Sequence, residues 1–273
     1  MTGTSRLLES LALENDGDGR FHAPPTNEPG VVFGGQLLAQ SIMAAAAVND
    51  GKEVKTIHTV FARGASTELP LEYDVEVLQS GRAFASASVT ARQGDRLCTR
   101  STVLSTAPEP DLIRHADPMP RVPSPDKVVG GDSHRPGWHI HTVGGVDLND
   151  TAVGPAKLDV WTRFDVDDPG PLGSQALLAY ASDGFLIGTA MRPHEGIGQS
   201  LAHVSLSTGV ITHTLTFHEP FDASYWLLLC HKANYAGRGR TYGRADVFTE
   251  DGLLVASFVQ DAMVRPMPEG HNR

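Results

Sequence analysis

The sequence predicts an α+β chain in which one arrangement, a buried helix followed by an antiparallel meander, is used twice. Three observations carry this. The run Gln36 to Val48 is rich in Ala, Leu, Ile and Met with no internal Gly or Pro, which reads as a helix buried on most sides. Beyond it, Tyr73, Val75 and Val77 alternate with Asp74 and Glu76, the period of a half-buried strand. After a proline-rich break the same order of elements returns.

The elements follow in order. Ser5 to Leu13 reads as a short helix, and a loop rich in Asp, Gly and Pro leads to the Gly34-Gly35 pair and the buried helix. Asn49-Asp50-Gly51 supplies turn residues at its end. Strands are predicted over Val54 to Arg63, Leu71 to Gln79, Phe84 to Arg92 and Arg96 to Leu104, with short turns at Gln79–Arg82 and Gln93–Asp95. Seven prolines between 107 and 137 mark a surface linker. We therefore expect an N-terminal unit over 1–107, a linker over 108–137 and a C-terminal unit over 138–273. In the second unit Val160 to Val166 is a strand and Ser174 to Leu186 a helix. Strands over Gly209 to His218, Tyr225 to Ala233, Gly239 to Thr249 and Leu253 to Val264 complete it, with Glu250-Asp251-Gly252 as a hairpin turn.

The composition narrows the function classes. A net charge of −10 argues against a nucleic-acid surface, which needs a basic field. The two cysteines, Cys98 and Cys230, are far apart in apolar runs and read as reduced structural residues. Residues 1–16 lack the basic start and apolar run of a secretory signal, and no apolar stretch approaches the ~20 residues of a membrane span. A cytoplasmic location is expected.

Several segments together resemble the type II acyl-CoA thioesterases. Val32-Phe33-Gly34-Gly35-Gln36 is similar to the opening of that family's first unit; His58, Phe61 and Arg63, then Tyr73-Asp74-Val75 and Gly81-Arg82-x-Phe84, are similar to its strands. In the second half the matching segments are Tyr180-Ala181-Ser182-Asp183, Phe217-His218-x-Pro220-Phe221, Trp226-Leu227-Leu228, Asp251-Gly252-x-Leu254-Val255-Ala256-Ser257 and Val259-Gln260. The resemblance covers about residues 5–105 and 155–265. It implies a double hotdog, two antiparallel sheets each wrapped around a long central helix. It also implies hydrolysis of fatty acyl-CoA by an Asp, a Thr or Ser, and a Gln in the second half, with no cofactor. The implied ligand is acyl-CoA and the implied assembly a homo-oligomer.

Thioester hydrolysis needs a water held against the carbonyl carbon and donors where negative charge develops. The resemblance assigns the water to Asp183 and Gln260. Asp183 can accept its proton, and Gln260 offers both an acceptor and a donor. If Asp183 stands near a helix start, backbone N–H groups there can serve the oxyanion. The family's hydroxyl position falls on Val210 in an ungapped reading. Thr212, two residues on, is expected on the same strand face and is the favoured substitute, with Ser207, Thr208 or no hydroxyl as the other readings. In the first half Gln36 and His58 read as structural polar groups.

Other signals are secondary. Gly237-Arg238-Gly239-Arg240 has the look of a phosphate loop but precedes no helix with Lys-Ser or Lys-Thr. Arg238, Arg240 and Arg244 either meet the phosphates of CoA or guard a solvated strand edge. His134, His139 and His141 lack a neighbouring Cys, and no functional metal is expected. Two alternatives to hydrolysis remain at this level. One is a catalytically silent acyl-CoA binder, suggested by Val210. The other is an enoyl-CoA hydratase pairing Asp183 with His194.

Overall fold

A computed structural model of the chain describes residues 3–25, 29–49, 51–128, 131–132 and 137–267. Helix α1 (Gly3–Leu11) and the hairpin β1 (Glu14–Gly17) and β2 (Arg20–Ala23) precede helix α2 (Gly34–Val48). Strands β3 (Glu53–Phe61), β4 (Leu71–Ser80), β5 (Phe84–Gln93) and β6 (Arg96–Thr106) follow. The second half contains β7 (Gly131–Asp132), β8 (Trp138–Thr142), β9 (Lys157–Phe164), α3 (Gly170–Ser182) and α4 (Leu186–Met191). It ends with β10 (Leu206–Phe217), β11 (Leu227–Gly237), β12 (Arg240–Thr249) and β13 (Leu254–Pro266).

The two expected sheets are joined. β3 of the first half pairs antiparallel with β10 of the second, giving one 13-stranded sheet in the order β1-β2-β4-β5-β6-β3-β10-β13-β12-β11-β9-β8-β7. The helices lie on its inner face. Leu38, Ala39 and Ile42 of α2 and Leu177, Leu178 and Ala181 of α3 are fully buried in the same core as Ile57, Val103, Leu215 and Phe258 of the strands. Burial of this kind contributes about 25 cal/mol per Å² of apolar surface. It explains why two helices with so little polar surface sit where they do.

The start of α2 packs on the end of α3 at backbone distance. A Cβ built on Gly35 would stand 2.2 Å from the Tyr180 carbonyl oxygen, so only glycine permits this approach. Around it the rings of Phe33, Tyr180 and Trp138 form an edge-to-face chain, with centroids 5.0 and 5.6 Å apart.

The duplication is written into the strand irregularities. Between Val210 and Thr212, β10 skips a residue against β13, so that Val210 opposes Ala262, Thr212 opposes Asp261 and His213 opposes Gln260. β3 skips Lys55 against β6 in the same way, with Val54 opposing Ser105, Thr56 opposing Leu104 and Ile57 opposing Val103. Two bulges at matching places in the two halves of the sheet are a shared design feature.

The linker does more than connect. Met119, Val122 and Val128 pack with Trp161, Leu228 and Phe248 into a second small core, and the Trp161 indole N–H donates to Pro123 O at 2.9 Å. Polar side-chain partners also tie it down: His141 meets Pro125 O at 3.0 Å. Cys98 and Cys230 are free.

Candidate active site

Asp183 is the C-cap of α3. Sequence patterning puts it inside one continuous helix from Ser174 to Leu186, with nearness to a helix start only a condition for oxyanion donors. Instead the helix ends at Ser182, the chain passes Gly184, and α4 begins at Leu186. Glycine is, after proline, the residue type least suited to continue a helix, and the Gly184 N–H turns back to Ala181 O at 3.2 Å. The carboxylate nevertheless meets a helix start, that of α2 from the other half. A Cβ built on Gly34 would lie 2.6 Å from Asp183 Oδ2 and 3.2 Å from a Phe61 ring carbon. Gly34 and Gly35 are the first residues of a 15-residue helix, and their N–H groups fall among the four that no helical carbonyl can accept. The N-cap residue, Phe33, has no side-chain group to cap that end. The helix dipole favours negative charge there.

The second element is the inner face of β10 and β13. Residues directly opposite in an antiparallel pair project to the same face. His213 and Gln260 are such a pair, and so are Val210 and Ala262. His213 is fully buried and Gln260 is 2% exposed. His213 Nε2 lies 3.0 Å from the hydroxyl of Ser182, the residue before Asp183, so this face packs directly against the end of α3. Burial holds the His213 imidazole down to about 3, with nearby Gln260 opposing and His58 adding to the depression. The ring is neutral at ordinary pH.

Gln260 is the unusual member. Among the described residues neither atom of its carboxamide has a hydrogen-bond partner, although both are buried. Another buried glutamine shows what satisfaction looks like: Gln40 donates to Ser10 O at 2.9 Å and accepts from the Tyr73 hydroxyl at 2.6 Å. Leaving a buried amide unpaired costs about 1–3 kcal/mol. A site that holds water or a ligand accounts for retaining it.

In the first half these positions are occupied by Asn49 at the C-cap of α2, and by Ile57 and Val103 across the strands. The polar set of Asp183, His213 and Gln260 therefore exists at one end of the helix pair.

Residues 22–106 match the family model described as the acyl-CoA thioesterase N-terminal domain, and residues 106–264 match the acyl-CoA thioesterase C-terminal domain. The chain belongs to the acyl-CoA thioesterase family. It is 29% identical over 258 residues to acyl-CoA thioesterase 2 of Haemophilus influenzae, covering 86% of this chain and 87% of that protein. It is 28% identical over 267 residues to human acyl-coenzyme A thioesterase 8, covering 87% and 82%. The solved tesB protein of Mycobacterium avium subs paratuberculosis superposes with a TM-score of 0.83 at 26% identity, over 96% of this chain and 100% of that one. A hot-dog protein of unknown function from Alicyclobacillus acidocaldarius, at 22% identity and a TM-score of 0.76, shares the fold.

Within this thioesterase-family site the hydroxyl expectation changes. Thr212 does not share a face with Val210. The bulge at Ile211 reverses the alternation, so Thr212 points to the outer face, where its hydroxyl donates to Asp261 at 3.1 Å. Thr208, opposite Val264, is the hydroxyl on the inner side, one strand repeat of about 7 Å from Val210. Ser207, opposite Arg265, is outward. His58 is also outward and exposed, bonded to the Thr214 hydroxyl at 2.7 Å, and Gln36 is half-buried in the first turn of α2.

The three arginines separate as well. Arg238 sits in the β11–β12 turn with φ 55°, beyond the strand ends nearest Thr208 and Val264, whereas Arg240 and Arg244 alternate with Gly243, which opposes Gln260, and so face outward. His139 pairs with Asp165 at 2.7 Å, and both His139 and His141 contact the Trp226 ring. His134 lies outside the described residues. His194 lies exposed past the end of α4, its N–H bonded to Met191 O at 3.0 Å. His213 had no place in the sequence reading. The one signal for it was a histidine inside an otherwise apolar and threonine-rich strand.

Proposed function

We propose that this chain hydrolyses acyl-CoA thioesters to a carboxylic acid and CoA, with Asp183 and Gln260 holding the attacking water. The observation that carries the reading is the buried, unpaired carboxamide of Gln260 on the face that reaches the end of α3. Asp183 takes the proton as the water attacks the carbonyl carbon. Charge then develops on the carbonyl oxygen, and the N–H groups at the start of α2, beside Asp183, are the backbone donors we assign to it. Collapse of the tetrahedral intermediate expels the CoA thiolate. Val210 contributes no hydroxyl, so the site works with two side chains where the family pattern has three.

Arg238 is the arginine whose position suits the CoA phosphates. We place the protein in the cytoplasm, in keeping with the absence, among the described residues, of any helix long and apolar enough to cross a membrane. A homo-oligomer is supported by the outer sheet face, where Val60, Leu104 and Tyr242 stand exposed.

Thiol release from a chain-length series of acyl-CoAs tests the activity. Turnover that depends on Asp183 supports it. No turnover with any ester, while CoA esters still bind, would convert the reading to a silent acyl-CoA binder, the alternative that Val210 favours.

A further inference from the structure

A carboxamide has a donor end and an acceptor end, and which end of Gln260 faces the water decides its role. The surrounding hydrogen bonds determine this. The Ser182 hydroxyl spends its single proton on Ala179 O at 2.8 Å. It therefore meets His213 Nε2, 3.0 Å away, as an acceptor, and the imidazole must carry its proton on Nε2. In the neutral ring Nδ1 is then a lone pair. Nδ1 is buried without a hydrogen-bond partner among the described residues, as are both atoms of the Gln260 carboxamide. Gln260 is the residue directly across the strand pair.

We propose that His213 is a positioning residue: with its tautomer set by Ser182, it takes an amide N–H of Gln260 on Nδ1 and so turns the Gln260 carbonyl oxygen toward the attacking water. The proposal rests on the hydrolase reading and deepens it. Gln260 and Asp183 are then both acceptors, one for each proton of the water, which leaves an oxygen lone pair directed at the thioester carbon. Donors to the oxyanion must come from backbone, and the start of α2 is where they stand. The first half supports the linkage, because Ile57 and Val103 replace His213 and Gln260 together.

The test compares His213→Ile, the residue at the matching position of the first half, with His213→Asn, whose side-chain oxygen takes the place of Nδ1. In steady-state hydrolysis of the best acyl-CoA, His213→Ile is expected to lower kcat at least tenfold with KM within about threefold. His213→Asn should recover most of that loss. Wild-type kcat in a folded His213→Ile protein, or equal impairment of both variants, overturns the proposal. The Gln260 side-chain amide signals in ¹⁵N-labelled protein, assigned by their loss in Gln260→Met, give a readout independent of turnover. They should shift between wild type and Ser182→Ala and between wild type and His213→Ile, and stay near wild type in His213→Asn. If the wild type hydrolyses nothing, the hydrolase reading falls, and these signals still decide whether His213 holds Gln260. If His213→Ile does not fold, Ser182→Ala and His213→Asn decide it by the same signals; unchanged signals in Ser182→Ala would overturn it.

Discussion

The Asp183 carboxylate rests against Gly34, so closely that a methyl group on Gly34 would stand 2.6 Å from Oδ2. The acid comes from the second half of the chain and the helix start from the first. The candidate site thus draws on both halves. Gly34→Ala is expected to displace the carboxylate and cut kcat/KM by at least tenfold, because a shift of about 1 Å at a reacting group has effects of that order or larger. Gly35→Ala presses on the Tyr180 carbonyl instead, and backbone yields less than a side chain. It should cost about 3 kcal/mol of stability, seen as a lower urea midpoint. An unaltered midpoint would mean the helices can separate freely.

Asp183→Asn keeps the shape of the C-cap and removes the proton acceptor. Turnover should fall by about 100-fold, the usual scale for general-base help. Full activity in the folded variant would remove Asp183 from the site.

Val210→Thr places a hydroxyl where the family pattern has one, on the face shared by His213 and Gln260. One added hydrogen bond to the water is worth roughly tenfold in kcat. A fall in activity would show that the site has closed around valine.

Thr212→Val tests the opposite face. Its hydroxyl is engaged with Asp261 on the outside of the sheet, so kcat should change by less than about twofold. A large loss would return Thr212 to the site.

Two buried histidines make stability depend on pH. Burial lowers His213 to about 3 and His231 to about 4, from an ordinary 6.5. Between those values and 6.5 the unfolded chain binds more protons than the folded one. Their contribution is therefore complete above pH 6.5 and is lost as pH falls toward about 4 and then 3, at about 1.4 kcal/mol per unit for each group. Denaturant midpoints should drop on acidification through this window, and less steeply in His213→Asn. A flat profile from pH 7 to 4 would contradict the burial of both rings.

Most of the architecture is readable from local patterns. The apolar run of α2 and the alternation of β4 are properties of neighbouring residues, and both elements form within a residue or two of their predicted limits. The hairpin β1–β2 and strand β8 lacked such patterns. They are short, with β1 exposed throughout, and owe their shape to the strands they pair with. The end of α3 was misjudged because apolar residues continue past Asp183 into α4, so periodicity shows no break while Gly184 makes one.

By itself the sequence determined the α+β repeat and the family, and it singled out Asp183 and Gln260 as candidates, because residue type and order along the chain carry that information. Tertiary structure alone decided which groups meet. A bulge at Ile211 turns Thr212 outward and brings Val210 onto the face of His213 and Gln260, and a strand face cannot be counted across a bulge whose position depends on its partner. The contact of Asp183 with Gly34 likewise joins residues 149 positions apart. It exists only because burying two apolar helices on one sheet sets the end of one against the start of the other.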